Sequence, residues 1–210
     1  MNILTDLLPK TIEVQGVRYP IDWDFRTSIL FELLMCDDKI DDEEKGIKAL
    51  ELYFDEETLR NFNEDNIEEV KQQILWFYEC GKEKTNIETD NNQNNSNSSN
   101  KRIYDYNQDD IYIYAAFKQQ YGIDLQYIEG LHWWLFNAMF ISLDENCKFA
   151  KILGYRSVDL DEIEDEKQRD FYRKMKEIYA LPEDLAEREK YEKIKEMLAR
   201  GEDPGELLHN

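Results

Sequence analysis

The run Leu131–Leu143, LHWWLFNAMFISL, constrains this chain more than any other stretch. Apolar side chains fall on nearly every side of the helix that it predicts, so that helix belongs inside a folded body with other elements packed around it. It contains the adjacent Trp133 and Trp134 and, beside them, His132, one of two histidines. Just beyond it, Asp144 is placed to cap a short helix whose apolar face is Phe149, Ile152 and Leu153, and Gly154 is placed to end that helix in the left-handed conformation.

Composition decides what can surround such a core. A body of 210 residues can bury roughly 70% of its unfolded surface. Aromatic residues at 13% argue against wholesale disorder despite a net charge of −21. That charge belongs on the surface, where it repels nucleic acid and anionic membranes and suits basic partners or cations. Acidic residues interspersed with Lys and Arg indicate solvated helix faces rather than a nucleic-acid mimic. Cys36, Cys80 and Cys147 are odd in number and far apart, which fits neither a disulfide framework nor a zinc cluster. The start of the chain lacks an apolar signal region and no apolar run reaches the length of a membrane span, so a soluble, unexported protein in a reducing cytoplasm is expected.

The rest of the chain predicts a mainly α protein: a helical body with a small amino-terminal β-hairpin and a charged carboxy-terminal helix. Thr11 to Ile21 alternates around Gln15-Gly16, a two-residue hairpin turn. Asp22 or Asp24 caps the next helix, with Phe25, Ile29, Leu33 and Leu34 at helical spacing, and Trp23 seals hairpin against helix. Asp41 or Asp42 caps a helix with the stripe Ile47, Leu50 and Phe54. The carboxylate-rich DDKIDDEE before it lacks the spacing, central Gly and final Glu of a calcium loop. From about Glu64 to Cys80 a helix carries Ile67, Val70, Ile74, Leu75, Phe77 and Tyr78, and Gly81 stops it. Residues 82–101 are almost wholly polar and form a flexible insertion in one body spanning 1–182, two independently folding halves being the alternative. Asp109 or Asp110 begins a helix that Gly122 ends, and a later helix presents Phe171, Met175, Ile178 and Tyr179 before Pro182. Residues 183–210 form an appendage whose thin stripe of Leu185, Tyr191, Ile194 and Leu198 is the candidate partner-binding surface, laid into a partner's groove or paired with itself in a homo-oligomer.

No phosphate loop, dinucleotide fingerprint, nucleophile elbow or zincin helix is present, so no enzyme activity, cofactor or metal is expected. His132 is expected to be a hydrogen-bonded packing residue and His209 to lie in the tail. Arg169, Arg173, Lys174 and Lys176 alternate with acids as on an exposed mixed-charge helix.

LHWWLFNAMFISLDENCKFAKILGYRSVDL, followed by DEKQRDFYRKMKEIYALP, resembles the gene-product-fifteen family from the tail-gene region of temperate phages of Gram-positive bacteria. VQGVRYPIDWDFRTSILFE resembles that family's opening, and KALELYF with ILWFYECGK resembles its middle. The likeness fails mainly between Lys82 and Lys101 and after about Glu183. Within it, Asp24, Phe25 and Arg26 read as a helix cap, a core aromatic and a surface or paired guanidinium. The resemblance implies a gene between those of the major tail protein and the tape-measure protein, the usual position of a tail assembly chaperone. Its partners would be phage tail proteins, the tape-measure protein first, in the host cytoplasm; the alternative is a structural component of the assembled tail.

Overall fold

Gln15 and Gly16 have φ of 51° and 77°, the two positive values of a type I′ turn, whose twist matches the strands that it joins. Those strands are β1 (Thr11–Val14) and β2 (Val17–Pro20), antiparallel with Val14 opposite Val17 and Thr11 opposite Pro20. A lone hairpin is marginal in water. Here Ile12 and Val14 are buried, and α4 (Ile67–Tyr78) packs on β1.

The computed structural model describes residues 2–82 and 103–182, together with Lys193, Met197 and Arg200. Its other helices are α1 (Phe25–Met35), α2 (Asp42–Tyr53), α3 (Glu56–Leu59), α5 (Asp110–Tyr121), α6 (Trp133–Ile141), α7 (Lys148–Ser157) and α8 (Glu166–Ile178). The described chain is therefore mainly α with one amino-terminal hairpin, as its sequence predicts. It divides into two compact units: Met1–Ser98 with Phe117–Leu143, and Ser99–Ala116 with Asp144–Asn210. All but the first residue of the insertion expected at 82–101 lies outside the described residues, as does nearly all of the expected appendage.

In the first unit, the starts of α1 and α6 are held side by side. Asp24 and His132, the N-cap residues of these two helices, form an antiparallel β-bridge. The Phe25 N–H donates to Leu131 O (3.0 Å) and the Trp133 N–H to Trp23 O (2.9 Å). Asp24 accepts from the Arg26 N–H at 3.0 Å, one of the backbone donors that a helix start leaves without a partner. Beneath this bridge Phe136 stacks on both Phe25 and Phe117, each at 4.8 Å between ring centroids. Trp23 stacks on His132 and carries the Lys10 ammonium over its face.

The end of α4 is closed by side chains of α6. The Trp134 indole N–H donates to Phe77 O (2.7 Å) and that of Trp133 to Tyr78 O (2.8 Å), so two carbonyls of the last turn of α4 gain donors from α6. Gly81 was expected to be the left-handed residue that stops this helix, but the left-handed turn begins at Cys80 (φ 58°) and continues through Gly81 (φ 66°). The Gly81 N–H reaches Trp76 O (2.8 Å) and the Cys80 N–H Phe77 O (3.1 Å), a Schellman pair with a cysteine where glycine is usual. Asn137 donates to the Cys80 sulfur at 3.1 Å, anchoring that residue from α6.

Burial of α6 differs from the expectation of a helix enclosed on every side. Trp133, Trp134 and Phe136 are buried, whereas Leu135 is 40% and Ile141 68% exposed. Nine residues give about two and a half turns, and only the first turn contains buried side chains.

In the second unit, the guanidinium of Arg156 on α7 grips the carboxylate of Asp109 with two bonds, 2.6 and 2.9 Å. It also donates to Tyr179 O (2.6 Å) and Ile103 O (3.1 Å), while Asp109 accepts from the Asp105 N–H. Both side chains are almost wholly buried, and this set of partners is what makes a buried ion pair tolerable. Two expectations are corrected here. Cys147, not Asp144, caps α7, its sulfur accepting from the Ala150 N–H, while the Asp144 side chain binds the Asn146 N–H. Gly154 lies within α7, which runs on to Ser157. The stripe expected on α8 is also not enclosed: no residue of that helix is buried, and Phe171 and Ile178 are 48% and 65% exposed.

Candidate partner-binding cleft

The inward face of α1 is not the one that hydrophobic spacing picks out. Its buried residues are Phe25, Thr27, Ser28 and Phe31. Two hydroxyls go inside because both are bonded: Ser28 Oγ lies 3.0 Å from the buried Tyr53 Oη, and Thr27 donates outward to Asp22 at 2.9 Å. Burial pushes the Tyr53 phenol well above its ordinary range, so it stays protonated and available to this bond. With small polar residues inside, the leucines of α1 move outward: Leu30 is 51% exposed, and Leu33 and Leu34 are half-buried rather than enclosed.

The same displacement occurs on the neighbouring helices. α2 buries Ala49 and Tyr53, leaving the expected core residue Ile47 53% exposed and Leu50 half-buried. Phe54, just past the helix, is buried as expected. α4 buries Val70, Ile74 and Phe77 and leaves Leu75 48% exposed. These side chains surround an open cleft of about 450 Å³ lined by α1, α2 and α4. Phe31, Met35, Ile47, Leu50, Ile74 and Leu75 give it an apolar lining, and Asp42, Glu43, Lys45 and Lys71 stand around it. Such size and lining suit apolar side chains of a ligand or partner. A shallower hollow of about 300 Å³, lined by Leu30, Leu34, Leu52, Lys48 and Glu51, lies over α1 and α2. Sequence reading gave Leu34, Ile47, Leu50, Ile74 and Leu75 to the apolar stripes of their helices and did not single out Leu30, Met35 or Leu52. The available signal was an excess: Leu30, Leu33, Leu34 and Met35 add a second apolar face to a helix that needs only one.

The other singled-out residues take structural positions. His132 Nδ1 accepts from the Trp134 N–H (3.1 Å) while Nε2 faces Pro9 O at 2.9 Å, which assigns the proton to Nε2. Burial lowers its pKa, so the ring is neutral and acts as a helix cap and a tie to the segment before β1. Asp24 caps α1, Phe25 is a core ring, and Arg26 binds Asp24 and the carbonyls of Leu125 and Ile128. Arg169 donates to Ile163 O, Lys176 to Val158 O, and Arg173 pairs with Asp170, so of the singled-out Arg169, Arg173, Lys174 and Lys176 on α8, three have partners within their own unit. Leu185, Tyr191, Ile194 and Leu198 lie outside the described residues. Among the described residues no cluster of three or more metal-ligating side chains occurs, and no helix is long and apolar enough to cross a membrane.

No curated protein and no solved structure matches the chain. A family profile described as Bacteriophage Gp15 protein matches residues 4–181, which takes in the hairpin, the three helices of the cleft, the tryptophan pair and the Asp109–Arg156 pair. Over that span, which is most of its length, this chain belongs to the bacteriophage Gp15 protein family.

Proposed function

We propose that the protein is a non-enzymatic tail assembly chaperone, which binds the tape-measure protein in the host cytoplasm and keeps it soluble while the tail forms around it. The observation that carries this reading is the open apolar cleft between α1, α2 and α4, with Ile47 and Leu75 about half exposed at its sides. Exposed apolar clefts with charged surroundings are the surfaces on which proteins receive helical segments of other chains. Family membership supplies the phage setting, and a net charge of −21 keeps a protein with such a surface dispersed. A chaperone engages its client before assembly and is then released, whereas a structural component of the tail stays. Affinity-tagged protein recovered from infected cells should bring down the tape-measure protein, and mass spectrometry of purified particles should find this chain far below the major tail protein. Recovery at a fixed stoichiometry in the particles would establish the structural reading instead.

A further inference from the structure

The cleft has features that specify its occupant, and they deepen the chaperone reading, on which the inference rests only for the source of the partner. Gly46 lies within α2, where glycine is less favourable than alanine. A Cβ built there meets no atom within 4 Å, so packing inside the chain does not require the glycine, and Gly46 lines the cleft. A glycine in that position lets another backbone come close.

The charges around the cleft are unevenly used. Lys45 donates to Met35 O (3.0 Å), at the end of α1, and Lys71 pairs with Glu68 (3.5 Å). The nearby Lys48 is held by Glu44 (2.8 Å). Asp42 and Glu43 are exposed and, among the described residues, make neither a hydrogen bond nor an ion pair through their side chains. The cations around the cleft are thus engaged by the chain's own groups, and two carboxylates face outward beside an apolar surface. The cleft walls are helices whose backbone groups are already bonded, so an added strand has no edge to pair with, whereas a helix docks through side chains alone.

We propose that this cleft receives an amphipathic helix of another polypeptide, its apolar face set against Ile47, Leu50 and Leu75 with its backbone close to Gly46, and a Lys or Arg on its flank beside Asp42 and Glu43. The test uses the full chain and two labelled helical peptides of about 15 residues. Both carry leucines at i, i+3, i+4 and i+7, one with lysine flanks and the other with glutamate flanks, and binding is read by fluorescence anisotropy. The lysine peptide should bind about tenfold or more tightly than the other. Gly46→Leu fills the cleft while improving helix propensity, so it should weaken binding about tenfold with an unchanged or raised melting temperature. Because the whole chain is acidic, the local claim requires that Asp42→Asn with Glu43→Gln removes most of the flank preference.

Equal affinity for the two peptides, binding indifferent to Gly46→Leu, or a dimer in sedimentation that Gly46→Leu dissociates would each overturn the proposal, the last by showing a second copy in the cleft. The chaperone reading fails separately. A Gly46→Leu variant that still solubilises the tape-measure protein defeats the cleft alone, and peptide binding by a protein that solubilises nothing defeats the chaperone alone.

Discussion

Gly81 is packed against the indole of Trp134 so closely that a Cβ at that position would lie 2.6 Å from the ring's Cη2. The glycine is therefore needed twice, for its left-handed φ of 66° and for the room it leaves the ring. Gly81→Ala should destabilise by about 2–4 kcal/mol, the sum of backbone strain and overpacking. Gly122, with φ 68° and nothing within 4 Å of its Cβ position, is the control. Gly122→Ala should cost only the backbone share of about 1–2 kcal/mol. Denaturant melts of the two variants isolate the contact with Trp134.

The same ring supports a second expectation. Trp134 is 4% exposed and covers the end of α4, so Trp134→Ala should cost about 3–5 kcal/mol. Trp134→Phe keeps an aromatic ring but loses the bond to Phe77 O; because that carbonyl keeps the Cys80 N–H, this lost bond should cost only about 0.5–1.5 kcal/mol. A near-neutral Trp134→Ala would mean that the ring is not part of the core.

In the second unit, Asp109→Asn should destabilise by about 3–5 kcal/mol, because it leaves the buried Arg156 guanidinium without its counter-charge. Replacing both residues by apolar ones, Asp109→Leu with Arg156→Met, should cost less than the sum of the single changes. A double-mutant cycle on chemical denaturation measures the coupling.

His132 gives a pH signature. Its folded pKa is lowered, first by burial and also by the nearby Lys10, with the bond to Pro9 O opposing them. The native state therefore refuses a proton that the unfolded chain accepts near the ordinary value of 6.5. The stability held by the neutral ring is present above pH 6.5 and is lost as pH falls from there toward the lower folded pKa. Protonation would also remove the Nδ1 acceptor that caps α6. His132→Asn can still cap but does not titrate in this range. The stability difference between wild type and His132→Asn should be constant above neutrality and shrink on acidification. A difference that does not vary with pH would contradict this assignment.

Elements set by neighbouring residues were legible in the sequence, and those set by distant partners were not. The Gln15-Gly16 turn, the Asp24 and Asp41 caps and the Gly122 stop each depend on a few adjacent residues and occur where expected. The orientation of α1 depends on Ser28 meeting Tyr53, which lies on another helix, and periodicity cannot register a hydroxyl pair that attracts two polar residues into the core. Asp109 and Arg156 pair across a wider gap, again without any local mark. Histidine is not among the usual N-cap residues, so the bond from the Trp134 N–H to His132 was invisible too. The cleft was missed on α2 and α4, the neighbours of α1: Ile47, Leu50 and Leu75, which spacing gave to the apolar stripes of those helices, stand half-buried or exposed around it.

The central claim is that this chain keeps a tail polypeptide soluble by binding it. The most direct measurement is the soluble fraction of the tape-measure protein when it is expressed alone, with this chain, and with its Gly46→Leu variant. The account predicts a several-fold rise with the wild-type chain, with the two proteins co-eluting in size-exclusion chromatography, and little rise with the variant. An equal soluble fraction with and without the wild-type chain would contradict it.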